Sequence, residues 1–488
     1  VAGLGFGNVK QLFFPDASMT KFMVDYWAPE GTRIQQVAAD LRFAEQYLLD
    51  DERIESVATF VGQGPPRFYL PVDPESPYAS YAQLIVNVRD YKEIDALMGE
   101  LTGWFEDNYP DAQVPIRKYG VGPSNTWQFE VRISGPGNAD PGILRRLGDR
   151  ALGILSEEPL AGIHRSNWRE RVQRIEPRYN QERARWATVS REDLANGTKR
   201  AFDGLSVGLY REKDDLIPIV LRHVEEDRAN VSLSSVQLSG AVATETVPLE
   251  QVVDGVPVLW EDPLVWRRDR RRTVTVEANP VAGATLPTLR EAVLPKFDAL
   301  AADLPPGYTL EWGGEHEDTV DAQASLVPGA VPALLIIAII VVALFNAFKP
   351  PLVILCTVPF ALIGITVGLL AFDVPFGFVA LLAAMSLAGM MIKNAVVLLD
   401  QVNINLAEGL AQYEAVVDAA MSRLRPVILA AATTVLGVVP LLQDLFWIGL
   451  AVTIMAGLTF GTVITMVLVP VLYATLHRIT SPKAGATN

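Results

Sequence analysis

The sequence predicts an α-helical transmembrane bundle of five spans joined to a water-soluble α+β part of ferredoxin-like, split βαβ type. Three observations predict it. Of 56 acidic and 41 basic residues, six of each lie between Ser325 and the C-terminus, so the whole formal net charge of −15 belongs to residues 1–324. Five apolar segments follow Ser325, most reaching the roughly 20 residues that a helix needs to cross about 30 Å of hydrocarbon. Through residues 17–316 a strand–helix–strand pattern recurs four times.

The charge also excludes partners. An acidic soluble part argues against nucleic acid, which rewards net positive charge. The single cysteine, Cys356, lies in an apolar run, so a disulfide framework or a Cys-based metal site is excluded. His164, His223, His316 and His477 are scattered, and the neighbours of His316, Glu315 and Glu317, diverge on a strand or loop. No metal is expected there. The arginine run Arg267–Arg272, interrupted by Asp269, is expected to be a solvated face just before a strand.

Taken in order, residues 1–16 are apolar, without a basic leader region or cleavage site, and read as the last turns and exit of a membrane helix whose beginning lies outside the chain. Residues 17–118 form a first subdomain. Phe22, Val24 and Tyr26 alternate as a strand; Ile34, Val37, Ala38, Leu41 and Leu48 follow helical spacing; strands near 54–61, 81–88 and 113–118 and a helix with Ile94, Leu97, Leu101 and Trp104 complete it. Residues 119–179 and 273–318 supply the third and fourth units and pair as a second subdomain. Residues 180–272 form a module inserted into it, with a helix at 191–202 and a hairpin around 210–214.

The membrane part, 325–477, has spans at about 327–348, 352–371, 376–399, 426–442 and 446–476. Lys349, Arg423, Arg425, Arg478 and Lys483 fall on one side and Asp373 and Asp444 on the other. The positive-inside rule places the basic side, with a helix at about 402–421 and the tail 478–488, in the cytoplasm. The acidic part then lies outside, which in a two-membrane bacterium is the periplasm.

Four stretches carry a family resemblance: FFPD (Phe13–Asp16), YNQERARWATVSREDL (Tyr179–Leu194), GMMIKNAVVLLD (Gly389–Asp400) and SRLRPVILAAATTVLGVVPL (Ser422–Leu441). With them the whole chain resembles the C-terminal half of a resistance-nodulation-division (RND) exporter, and within that family it is similar to the acriflavine-resistance type. The resemblance implies a secondary transporter of the bacterial inner membrane rather than an enzyme. It implies a homotrimer driven by the proton motive force without a cofactor, moving hydrophobic and amphiphilic compounds through a periplasmic adaptor and an outer-membrane channel. Membrane helices eight to twelve would be those present, and 180–272 would be the docking module. Relatives moving metal ions, lipids or proteins, and an inactive half-transporter, are the alternatives. A membrane-anchored enzyme is disfavoured because no nucleophile–base or metal constellation stands in the sequence.

Lys393 is the sharpest single feature, since a lysine at depth costs at least about 2.5 kcal/mol to insert. It either snorkels toward the level of Asp400, about 10 Å along the helix, or pairs with carboxylates on another helix. No carboxylate of the five spans sits at its depth; the resemblance implies an aspartate pair on the family's fourth helix, outside this chain. Asn394 either joins that network or packs helices. Arg423 and Arg425 satisfy topology, and by resemblance Arg423 also belongs to the proton path. Where the family commonly has a threonine, this chain has Ala430, leaving Thr433 and Thr434 to act in a relay or merely to pack. The loop at 61–74 holds Gly62, Gly64, Pro65, Pro66, Arg67, Phe68 and Tyr69 and resembles the family's gate loop. Its aromatic groups suit stacking on amphiphiles, or are half-buried parts of a surface loop. Heavy-metal members of the family use methionine clusters; only Met19, Met23 and Met98 fall in the soluble half.

Overall fold

A computed structural model describes residues 5–15, 17–122, 127–222, 232–240, 245–281 and 283–480. Asp16, His223 and Lys483 lie outside the described residues, as do 1–4 and 481–488. The chain divides into two units, 1–169 with 264–488, and 170–263.

The first unit opens with strand β1 (Lys21–Trp27), helix α1 (Ile34–Leu49), β2 (Ile54–Val61), β3 (Tyr81–Val88), α2 (Ile94–Asn108) and β4 (Ile116–Lys118). The strands form an antiparallel sheet in the order β2-β3-β1-β4. Alternation puts Phe22, Val24 and Tyr26 on the face that receives Val37, Leu41 and Leu48 of α1 and Leu97, Leu101 and Phe105 of α2. The chain continues through β5 (Phe129–Ser134), α3 (Pro141–Ser156) and β6 (Ala161–Ser166). Asp140 caps α3 by accepting from the Gly142 N–H at 2.9 Å.

The second unit follows: β7 (Val172–Ile175), α4 (Gln181–Trp186), α5 (Arg191–Phe202), the hairpin β8–β9 (Leu205–Glu212, Asp215–Leu221), β10 (Gln237–Ser239), β11 (Thr246–Pro248) and β12 (Val258–Glu261). It has its own small core of Ala184, Val189, Leu238, Leu249 and Val252. The sequence places the insert about ten residues later, at 180–272; β7 and β12, which pair with each other, close the unit earlier.

Back in the first unit, β13 (Arg267–Arg268), β14 (Arg271–Pro280), α6 (Leu286–Ala302) and β15 (Thr309–Gly314) complete a second sheet. Its order, β6-β14-β5-β15 with β13 beside β6 on the β14 edge, repeats that of the first. The arginine run is not simply a solvated face. Asp269 and Arg270 form a two-residue hairpin turn with φ 51° and 66°. That turn aims Arg271 at the carbonyls of Gly135 (2.8 Å) and Gly307 (2.9 Å), Arg272 at Ala139, and Arg268 at Glu317 (3.1 Å).

Helix α7 (Glu315–Phe345) starts directly after β15, a dozen residues before the expected span. Next come α8 (Lys349–Thr357) and α9 (Ala361–Ala371), joined by a 3₁₀ turn at Val358–Phe360 that Pro359 imposes, then α10 (Phe378–Ala407), α11 (Gln412–Val438) and α12 (Ile448–Leu476). Among the described residues, five helical segments are long and apolar enough to cross a membrane. Leu335, Ile336, Ile339 and Ile340 of α7 are exposed, as suits a helix in contact with lipid. α12 packs against α8, α9, α10 and α11, and small residues permit the approach: a Cβ on Gly368 would stand 2.3 Å from that of Ala456.

The expected helix at 402–421 is corrected. Those residues are the ends of α10 and α11 and the reversal between them. Gly409 (φ 92°) terminates α10 in a Schellman-type cap, with the Leu410 N–H donating to the Asn405 carbonyl at 3.2 Å. The Asn405 side chain then bridges to the Ala415 carbonyl and Asp418 on α11 (3.1 and 3.0 Å).

Candidate functional site

Lys393 and Asn394 stand midway along α10. Lys393 is exposed and Asn394 half-buried, and among the described residues Lys393 has no ion pair or hydrogen bond. Its ammonium thus lies on a face of α10 that the other four spans leave uncovered. On α11, the hydroxyls of Thr433 and Thr434 both donate to the carbonyl of Ala430, at 2.9 and 3.0 Å. That carbonyl belongs to the position at which the resemblance implies a threonine. Arg423 donates to Gln401 on α10, Gln401 to Asn405 at 2.7 Å, and Asn405 to Asp418. The chain of polar groups thus locks the α10–α11 reversal, and it does not reach Lys393 through any described hydrogen bond. Gln401, Asn405 and Asp418 escaped the sequence reading because a polar side chain on or just before the expected cytoplasmic helix reads as part of its water-facing side.

The 61–74 loop lies on the helix-free face of the first sheet. Gly62 (φ 83°) opens it, and a Cβ there would stand 2.6 Å from Ile34 Cδ1. Gly64 and Pro65 are buried; Pro66, Arg67 and Phe68 are exposed. Arg67 pairs with Asp73 at 2.9 Å, and Tyr69 donates to the Gly120 carbonyl at 2.9 Å with its ring edge-on to Tyr119. Burial pushes the Tyr69 hydroxyl pKa up. Below the loop Asp25, fully buried, accepts from Tyr81 (2.6 Å), Gln83 (2.6 Å) and Arg117 (2.8 Å).

The structure adds a cleft of about 310 Å³ between the two sheets. Its walls include Trp27 and Tyr78 from the first subdomain and Trp127, Arg165, Trp266 and Glu277 from the second. The Arg165 guanidinium lies 4.2 Å from the Trp27 ring centroid and 4.6 Å from that of Trp127, within cation–π range of both. It also donates to Glu277 at 2.9 Å. Arg169, with φ 55°, crosses to the first subdomain, donating to the Ala28 carbonyl (2.6 Å) and forming an ion pair with Glu30 (2.8 Å). Burial pushes the Glu277 carboxyl up to about 7 against the pull of Arg165, and the Glu130 and Glu75 charges add to the rise. The cleft thus combines stacking surfaces with a carboxyl poised to exchange a proton near neutral pH. Chemically it suits a flat or amphiphilic guest.

This pair of repeated sheets leading into five apolar helices is the architecture of a membrane permease. The AcrB/AcrD/AcrF family model matches residues 3–477, and the chain belongs to that family of RND permeases. The swarming motility protein SwrC of Bacillus subtilis (strain 168) is 32% identical over 200 residues, covering 40% of this chain and 19% of that protein. The nickel and cobalt resistance protein CnrA of Cupriavidus metallidurans is 29% identical over 297 residues (58% and 27%). The multidrug resistance protein MdtC of Proteus mirabilis (strain HI4320) is 23% identical over 486 residues (96% and 45%). A crystal structure of a heavy metal efflux pump superposes with a TM-score of 0.81 at 20% identity, covering 98% of this chain and 49% of that one. It shares the fold. The chain spans less than half the length of each of these proteins.

Proposed function

We propose that this chain is part of a proton-driven efflux permease that exports hydrophobic and amphiphilic compounds from the periplasm or inner membrane. The observation that carries the substrate class is the cleft, with three tryptophans on its walls and neither methionine, cysteine nor histidine among its lining residues. Soft metal ions call for thiolate, thioether or imidazole ligands. Met23 is buried and Met98 packs against the first core. The metal-resistance relatives keep a second reading alive, in which a metal ion is the cargo.

In this proposal α7–α12 lie in the inner membrane, 17–118 and 119–179 with 273–318 are periplasmic porter subdomains, and 180–272 docks the partners. A homotrimer would work with a periplasmic adaptor and an outer-membrane channel. Lys393 would pair with carboxylates supplied from outside this chain; protonating them would release it and let the helices shift. Asn394, Arg423, Thr433 and Thr434 would serve the proton path, and the 61–74 loop would gate the cleft. The test is dye export from an efflux-deficient bacterium expressing the complete protein, with wild type against Arg165→Ala and Trp127→Ala. We expect dye efflux that both changes reduce severalfold. Efflux of cobalt or nickel without dye efflux would move the assignment to metal.

A further inference from the structure

A second cavity, of about 540 Å³, lies between α6 and the beginnings of α7 and α10. We propose that it holds a resident phospholipid with a phosphoethanolamine headgroup, its phosphate on Arg290 and its ammonium on Glu291 and Glu315. The proposal rests on the reading of α7–α12 as membrane helices.

The cavity is amphipathic in the direction a bilayer surface requires. α7 begins with Glu315, Glu317 and Asp318 and turns apolar from Leu326, so the polar-to-apolar boundary falls within about three helical turns. Phe13, Phe376 and Phe378 form part of the wall, with Phe13 and Phe378 edge to face at 6.0 Å. Aromatic rings are enriched at this depth of a membrane.

Arg290 supplies the cation. Its guanidinium lies 4.8 Å from the Trp312 ring centroid, its Nε is buried without a hydrogen-bond partner, and it has no ion pair among the described residues. A guanidinium so fixed, with donors to spare, fits a phosphate in bidentate fashion. The same wall carries two carboxylates: Glu291, exposed, and Glu315, which accepts from the Phe13 N–H at 3.3 Å. One fixed cation beside two carboxylates disfavours a purely anionic headgroup such as phosphatidylglycerol. A choline headgroup would satisfy the charge but donates no N–H to the carboxylates. A primary ammonium next to a phosphate matches the inventory, and the lipid would bridge soluble α6 to the spans as a structural ligand rather than as cargo.

The complete protein is purified from its membranes in mild detergent, and the phospholipids it retains are counted by native mass spectrometry after exchange against equal amounts of phosphatidylethanolamine, phosphatidylglycerol and phosphatidylcholine. We expect selective retention of phosphatidylethanolamine, falling at least about tenfold in Arg290→Gln, the loss of one charge-assisted pair. Glu291→Gln, at an exposed position that leaves the fold intact, should shift the preference toward phosphatidylglycerol. Equal retention of all three lipids, or retention that neither change moves, overturns the proposal while leaving the transporter reading standing. Recovery of the protein in the aqueous fraction without detergent would overturn both.

Discussion

Glu277 stands between opposite charges on its neighbouring strands, Arg165 on β6 and Glu130 on β5. An unfolded glutamate releases its proton near 4.5, whereas the folded carboxyl releases it near 7. Because the folded pKa is raised, the stabilisation linked to this proton is complete below about pH 4.5 and is lost as the pH rises through about 7. Glu277→Gln should therefore remove a decline in thermal stability between pH 5.5 and 8 that the wild type shows. A decline of equal size in both proteins would mean that the carboxyl ionises normally. The alternation around it was legible, with Val274, Val276 and Ala278 facing the core and Thr273, Thr275 and Glu277 facing away. That the polar face is also buried was not, because what covers it includes Trp27 and Tyr78 of the other subdomain, far away in sequence. Lys393 was legible alone, since a charge in an apolar run has few bland explanations; the Arg165 cage was not, since arginines in a strand usually meet water.

At the scale of elements, close helix contacts are fixed by residues that carry almost no side chain. Gly368 on α9 faces Ala456 on α12 with no room for a Cβ. Gly368→Val should overpack the contact and cost about 1–3 kcal/mol, seen as a lower unfolding temperature of the detergent-solubilised protein; an unchanged temperature would show that the helices separate freely. The four strand–helix–strand units and the five apolar segments were legible because period 2 and period 3.6 are written directly in the apolar positions. The reversal at Gly409 was not. The apolar stripe of 402–421 continues across the glycine, and periodicity alone does not distinguish one helix from two helix ends meeting at a turn. The early start of α7 was hidden in the same way, because its first turn carries the acids Glu315, Glu317 and Asp318 while the apolar pattern begins later.

For the whole molecule, two physical designs meet in one chain: two repeated sheets whose facing polar sides enclose a cleft, and a bundle of helices whose one deep ammonium has no partner among the described residues. Glycine-rich passage links them. Gly313 lies where a Cβ would meet the Arg132 guanidinium, so its absence lets Arg132 reach Glu317 on the first turn of α7. That ion pair ties the first turn of α7 to β5. The central claim is that proton entry, read by Lys393, drives export through the cleft. The measurement that tests it most directly is substrate-linked proton flux in vesicles containing the complete protein, comparing wild type with Lys393→Ala and confirming equal insertion and oligomeric size. The account predicts that dye transport collapses an imposed pH gradient in the wild type, and that Lys393→Ala loses both transport and proton flux while remaining folded. Undiminished, proton-coupled dye transport by a correctly assembled Lys393→Ala protein would contradict it.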